Sequence, residues 1–148
     1  MKIKAVLILP FILFLWSVVV QAADMRIIKD VRGEIYDDSA RITIEANCDI
    51  DYVEYSLPSP PRLIIDPVGK IYSDLKETIT FDTGPVKKVT IIKGRQDEEA
   101  SGDYYPLDFI SIEIIAPLDY NISKNIKEEV IVELKKKKKT VSSPPVAH

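Results

Sequence analysis

The stretch Pro60-Pro61-Arg62-Leu63-Ile64-Ile65-Asp66 decides how the rest of the chain is read. Its two prolines hold the entering backbone extended and have no N–H to give a sheet ladder, so they mark the start of a strand or an edge. Arg62 to Ile65 then continues as a short apolar strand, closed by Asp66 and Pro67. The run is too short and too β-branched for a helix. Arg62 is either paired with Asp66 or a carboxylate across the sheet, or left free for a ligand.

Outward from this segment the sequence reads as strands separated by turns. Upstream, Ala40 to Ala46 alternates cleanly, with Ile42, Ile44 and Ala46 on one face and Arg41, Thr43 and Glu45 on the other. That period of two describes a strand with one wet face. Arg26 to Val31 precedes it across an Asp37-Asp38 turn, with Gly33 expected at a bulge or bend. Tyr52 to Leu57 sets Val53, Tyr55 and Leu57 on one side. Downstream come Thr78 to Phe81, Val86 to Lys93, Leu107 to Ile115, Tyr120 to Ile126 and Val130 to Leu134. Gln96 to Tyr105 is polar, acidic and contains Gly102, the composition of an exposed loop. No apolar pattern of helical period persists beyond about two turns. At most one helical turn is expected, near Ser73 to Glu77 or Ser123 to Glu128. The fold class is therefore all-β, a small β-sandwich of two sheets.

The ends differ from this body. Lys2 and Lys4 precede an apolar run from Ala5 to Val20, and Val20-Gln21-Ala22 has the small-residue spacing of a cleavage site. Residues 1–22 are thus expected to be a cleaved signal peptide, a retained anchor being the alternative, and the chain is expected to be periplasmic. Residues 25–134 form one domain. Residues 135–148 open with Lys135 to Lys139 and continue Ser/Pro-rich, a composition expected to stay disordered. Against 23 Asp and Glu the chain has 20 Lys and Arg, and the lysine run takes its share of those, so the body ahead of it is acidic. An acidic body excludes nucleic acid as the expected partner, while the lysine run suits weak contact with an anionic surface. Cys48 is the single cysteine, so no intrachain disulfide forms, and it is expected to be buried.

Catalytic constellations are scarce. His148 is the single histidine and lies at the last position, which leaves no base for a Ser-His-Asp or Cys-His site and disfavours the usual zinc ligand sets. Asp97-Glu98-Glu99 with Asp103 lacks the alternating ligands and central glycine of an EF-hand and reads as a solvated loop. Paired carboxylates could still serve a glycosidase, but the acids here fall on wet faces and in turns. The chain is expected to be non-catalytic, with no cofactor and no metal. Arg41, Arg62, Tyr52 and Tyr55 are the candidate ligand contacts, because a guanidinium fork beside aromatic rings suits sugars and peptides.

Ile27 to Arg32, Ala40 to Glu45, Asp51 to Leu57, the Pro60 to Pro67 segment and Gly84-Pro85-Val86-Lys87-Lys88-Val89 occur in an order that resembles the AMIN domain. That family precedes the catalytic domain of some periplasmic N-acetylmuramoyl-L-alanine amidases and stands at the N-terminus of type IV pilus secretins. The resemblance spans Met25 to Leu134. It departs from the family pattern where Pro67 follows Asp66 at once. It implies a β-sandwich that binds peptidoglycan and localises an envelope assembly of septal, pilus or secretion type. Three other readings stand beside it. One is an adaptor that docks on an envelope or pilus-assembly protein through a sheet edge, without touching the wall. The others are a lipid carrier with an apolar cleft and a carboxylate hydrolase.

Overall fold

Alternation drives the architecture. On β2 (Ser39–Ala46), Ile42 and Ile44 are fully buried while Arg41 and Glu45 point away from the core. On β8 (Tyr105–Ile114), Ile110 and Ile112 are buried in the same way. These two strands contribute the central isoleucines of two antiparallel sheets that close on one core.

A computed structural model describes residues 24–115 and 118–137. The expected signal peptide and most of the basic tail lie outside the described residues. β1 (Ile28–Ile35) pairs with β2, β2 with β10 (Val130–Lys136), and β10 with β9 (Leu118–Lys124), which makes a four-stranded sheet of order β1-β2-β10-β9. The larger sheet runs β3 (Tyr52–Pro58), β4 (Pro61–Pro67), β8, β7 (Val86–Lys93), β6 (Thr78–Thr80). The two-residue β5 (Tyr72–Ser73) pairs with β8 outside that path. Between the sheets, Ile28, Ile42, Ile44, Leu63, Ile65, Val89, Ile91, Ile110, Ile112, Val132 and Leu134 form one continuous apolar cluster. At about 25 cal/mol per Å2 of apolar surface removed from water, such a cluster is the main favourable term of the fold.

The decisive segment is an interior strand. β4 lies between β3 and β8, with Pro61 at its start and Pro67 at its end, while Pro60 sits in the turn after a cis Ser59–Pro60 bond. The sheet edge belongs to β3. Leu63 and Ile65 face the core, and Arg62, Ile64 and Asp66 alternate to the outer face.

Several expectations need correction. Gly33 is not at a bulge: it pairs in register with Ile42, and the irregularity falls between Ile28 and Asp30. A Cβ on Gly33 would lie 2.5 Å from Phe81 Cζ, so the glycine makes room for an aromatic ring rather than for a bend. The expectation of at most one helical turn is met, since no helix occurs among the described residues; Ile126 and Lys127 form a tight turn, with Glu128 at positive φ. β10 continues past Leu134 to Lys136, so the lysine run begins inside the sheet. Cys48 is part-buried against the core rather than fully enclosed.

Candidate functional site on the outer face of the six-stranded sheet

The registers of the larger sheet bring its outward side chains into rows. Leu57, Arg62, Glu113, Lys88 and Thr80 form one row across β3, β4, β8, β7 and β6. Tyr55, Ile64, Ser111, Thr90 and Thr78 form the next. Tyr55 and Arg62 are therefore diagonal neighbours on adjacent strands, near enough for long side chains to act on the same molecule. Ile64 is 1% exposed and Ser111 is buried although both face away from the core, whereas Tyr55 is 41% exposed. The face is thus a closed apolar and hydroxyl floor with a tyrosine standing above it.

Arg62 is the unusual member. Its Nε is buried and has no hydrogen-bond partner among the described residues. The pairing with Asp66 does not occur: four residues along an extended strand separate their Cα atoms by about 13 Å, and Asp66 stands opposite Val53. Glu113, directly across from Arg62 on β8, is paired elsewhere. The register shift between Val86 and Lys88 lets two consecutive lysines reach that carboxylate, Lys87 at 3.4 Å and Lys88 at 3.3 Å. Burial opposes ionisation of Glu113, but the two ammonium groups outweigh it and hold the carboxyl below its ordinary range. The acid beside Arg62 is neutralised without consuming the guanidinium.

The other two candidates lie elsewhere. Tyr52 is on the opposite side of β3 from Tyr55, packed against the core, with Lys124 Nζ 5.9 Å from its ring centroid. Burial, and next the charge of Glu54, raises its phenol pKa. Arg41 belongs to the four-stranded sheet. Its guanidinium donates to Glu133 at 2.8 Å and lies 4.0 Å from Glu34, and the Glu133 hydrogen bond holds its pKa above the ordinary arginine value. It borders a groove of about 470 Å3 with Asp119, Asn121, Glu133 and Lys135. A second cleft, about 320 Å3, opens under the β3–β4 hairpin among Pro58, Pro61, Leu63, Leu118, Tyr120 and Leu134. The structure brings Tyr55 and Arg62 together and separates both from Arg41 and Tyr52. Ser111, Thr90, Thr78 and Lys88 were not legible as neighbours, because their proximity depends on which strands pair.

Among the described residues no group of three His, Cys, Asp or Glu side chains is arranged to hold a metal ion. The architecture is an all-β sandwich of two antiparallel sheets, compatible with AMIN-like folds. No protein-family model matches the chain, and no curated protein matches it.

Proposed function

We propose that this chain is a non-catalytic, AMIN-like domain of the periplasm that binds peptidoglycan and so localises an envelope assembly. The observation that carries the reading is Arg62, whose Nε has no hydrogen-bond partner among the described residues, on the same face as exposed Tyr55. Peptidoglycan offers carboxylates on its stem peptides and hydroxyls and amides on its glycan. A guanidinium fork donates bidentately to a carboxylate, a tyrosine ring covers a sugar face, and the row of Ser111, Thr90 and Thr78 can exchange hydrogen bonds with glycan hydroxyls. Each contact is weak, and a polymer of repeating ligand raises the effective affinity. Export rests on the charged and apolar N-terminal sequence.

The test is co-sedimentation of the purified protein with isolated sacculi at low and at physiological salt. Binding is expected at both, and Arg62→Ala is expected to weaken it severalfold with an unchanged denaturation midpoint. Arg41→Ala, whose guanidinium is occupied by Glu133, is expected to bind like the parent. Failure to pellet with sacculi at either salt would falsify the proposal. The open edge of β3 favours the second reading, an adaptor docking on an envelope protein; a specific partner in pull-down without sacculus binding would select it.

A further inference from the structure

The register shift at the start of β7 gathers charge on the outer face of the larger sheet. Val86 pairs with Ile114 and Lys88 with Glu113, so Lys87 is an extra residue between them, a β-bulge. Counting back from core-facing Val89, strict alternation would turn Lys87 inward and Val86 outward. The bulge keeps Val86 buried and leaves both lysines outside. Lys87 Nζ then lies 3.4 Å from Glu113 Oε1, and Lys88 Nζ lies 3.3 Å from Oε2. One ammonium would neutralise that carboxylate, so the second is in excess.

Arg62 adds a third cation from the other side. It faces Glu113 from β4, and β4 and β7 flank β8, so at about 4.8 Å per strand spacing the Arg62 and Lys88 Cα atoms are about 10 Å apart across Glu113. Two long side chains can close that span. Among the described residues, Glu113 is the one carboxylate that forms an ion pair with any of the three, and Arg62 forms none. The group is therefore net positive, on a chain whose acidic residues outnumber its basic ones. It is also layered. The Glu113 side chain is 11% exposed, against 41% for Lys88 and 65% for Lys87. An ammonium has three donors and a guanidinium five, so a carboxylate beneath two lysines fixes them without exhausting them.

We propose that this bulge is an oxyanion site. Lys87, Lys88 and Arg62 supply the donors, and Glu113 is a resident counter-charge that holds the two ammonium groups in place before a ligand arrives. Such preorganisation lowers the cost of binding, and charge-assisted N–H···O bonds are the strong kind. The ligand is an exposed carboxylate or phosphate group, taken from the solvent side without displacing Glu113. A purely structural role for the cluster would need one lysine and no arginine. This deepens the wall-binding reading by making a charged group, rather than a sugar, what the site selects, and it rests on that reading only for the source of the group.

The test is residue-resolved NMR of the isotope-labelled chain, titrated with sodium phosphate and separately with sodium acetate, against sodium chloride at equal ionic strength. Resolution by residue is needed because the lysine run from Lys135 also attracts anions. Saturable shifts are expected at the Arg62, Lys88 and Glu113 amides with at least one oxyanion and not with chloride. Lys88→Gln and Arg62→Gln are each expected to weaken that binding on the order of tenfold. Glu113→Gln keeps an oxygen for the lysines and removes the charge, so it is expected to tighten binding severalfold. The anion bound more tightly identifies a stem-peptide carboxylate or a phosphate ester as the natural group. Absence of a saturable response above chloride overturns the proposal, as does equal affinity in the parent, Lys88→Gln and Arg62→Gln, or weaker binding by Glu113→Gln. An anion response without sacculus pelleting keeps this site and discards the wall. Pelleting that is indifferent to Lys88→Gln, with no anion response, does the reverse.

Discussion

The outer faces of the two sheets are built by the same alternation and dispose of their charges in opposite ways. On the four-stranded sheet, Arg32 joins Asp30, Glu45 and Glu129, and Arg41 joins Glu34 and Glu133, so both guanidinium groups are occupied by neighbours. On the six-stranded sheet the lysines take Glu113, and Arg62 Nε is left without a hydrogen-bond partner among the described residues. A charge already satisfied by its neighbours has little to gain from a ligand, because any new ion pair must first break an old one. Two arginines that look equivalent in sequence are therefore unequal as binding groups, and the difference follows from which strands lie beside them.

The sharpest way to break this contrast is at Ile64, which faces outward yet is 1% exposed. If the larger sheet's outer face is a packed floor, Ile64→Ala should behave as a core deletion and cost about 2–4 kcal/mol in urea or guanidinium unfolding. A cost below about 1 kcal/mol would mean an ordinary solvated face, and the two outer surfaces would no longer differ in kind.

Next in size is the contact that joins the two sheets. Gly33 belongs to β1 of the smaller sheet, and Phe81 follows β6 of the larger one. Gly33→Ala would drive a methyl into the Phe81 ring, with Ile42 Cδ1 3.2 Å away on another side. Overpacking of this kind costs about 1–3 kcal/mol. Phe81→Leu in the same chain should recover part of the loss, which would identify the ring as the obstacle; equal losses in the single and double variants would not.

Acid should affect both faces. The Arg32 hydrogen bond lowers the pKa of Glu129 on the smaller sheet, and on the larger one Lys88 and Lys87 lower that of Glu113 against the opposing effect of burial. A carboxylate with a lower pKa folded than unfolded adds stability that is fully present above the unfolded value, about 4.3 for glutamate. That contribution is lost as pH falls through the folded value. Thermal midpoints are expected to be level near neutrality and to fall below about pH 4. Arg32→Gln should flatten the part of that fall due to Glu129, and Lys88→Gln the part due to Glu113. Profiles identical to the parent would remove these pairs from the account of acid stability.

How much of this could be read from the chain follows from range. The long strands were legible because an alternation of two repeats several times within each of them. Ala40 to Ala46 and Val86 to Lys93 come out nearly residue for residue. β5 was invisible, because Tyr72 and Ser73 are too few to show any period and are defined by their partners on β8. Gly33 was misread because glycine in a strand signals a bend or a close approach equally well, and the approaching ring is 48 positions away. Arg41, Arg62, Tyr52 and Tyr55 were selected by chemical type, which local sequence contains. The split of Tyr52 from Tyr55 across β3 follows from alternation within the strand, but the division of the four between two sheets depends on pairings such as β2 with β10, separated by most of the chain.

The smallest effect, on stability, is the most informative about Arg62 itself. A buried polar atom without a partner costs free energy, so replacing it with an apolar group of similar length should be neutral or mildly favourable. Arg62→Met retains the aliphatic stem that lies over the sheet and removes the unsatisfied Nε. Its unfolding free energy is expected to equal the parent's or exceed it by up to about 1 kcal/mol, while sacculus binding falls as it does for Arg62→Ala. The comparison variant, Arg41→Met, should lose a little stability through Glu133 and Glu34 and leave binding unchanged. Opposite responses at the two arginines would mean that one is retained for the fold and the other at the fold's expense. A destabilised Arg62→Met would instead make Arg62 a structural residue, and the outer face of the larger sheet would lose its claim to be the binding surface.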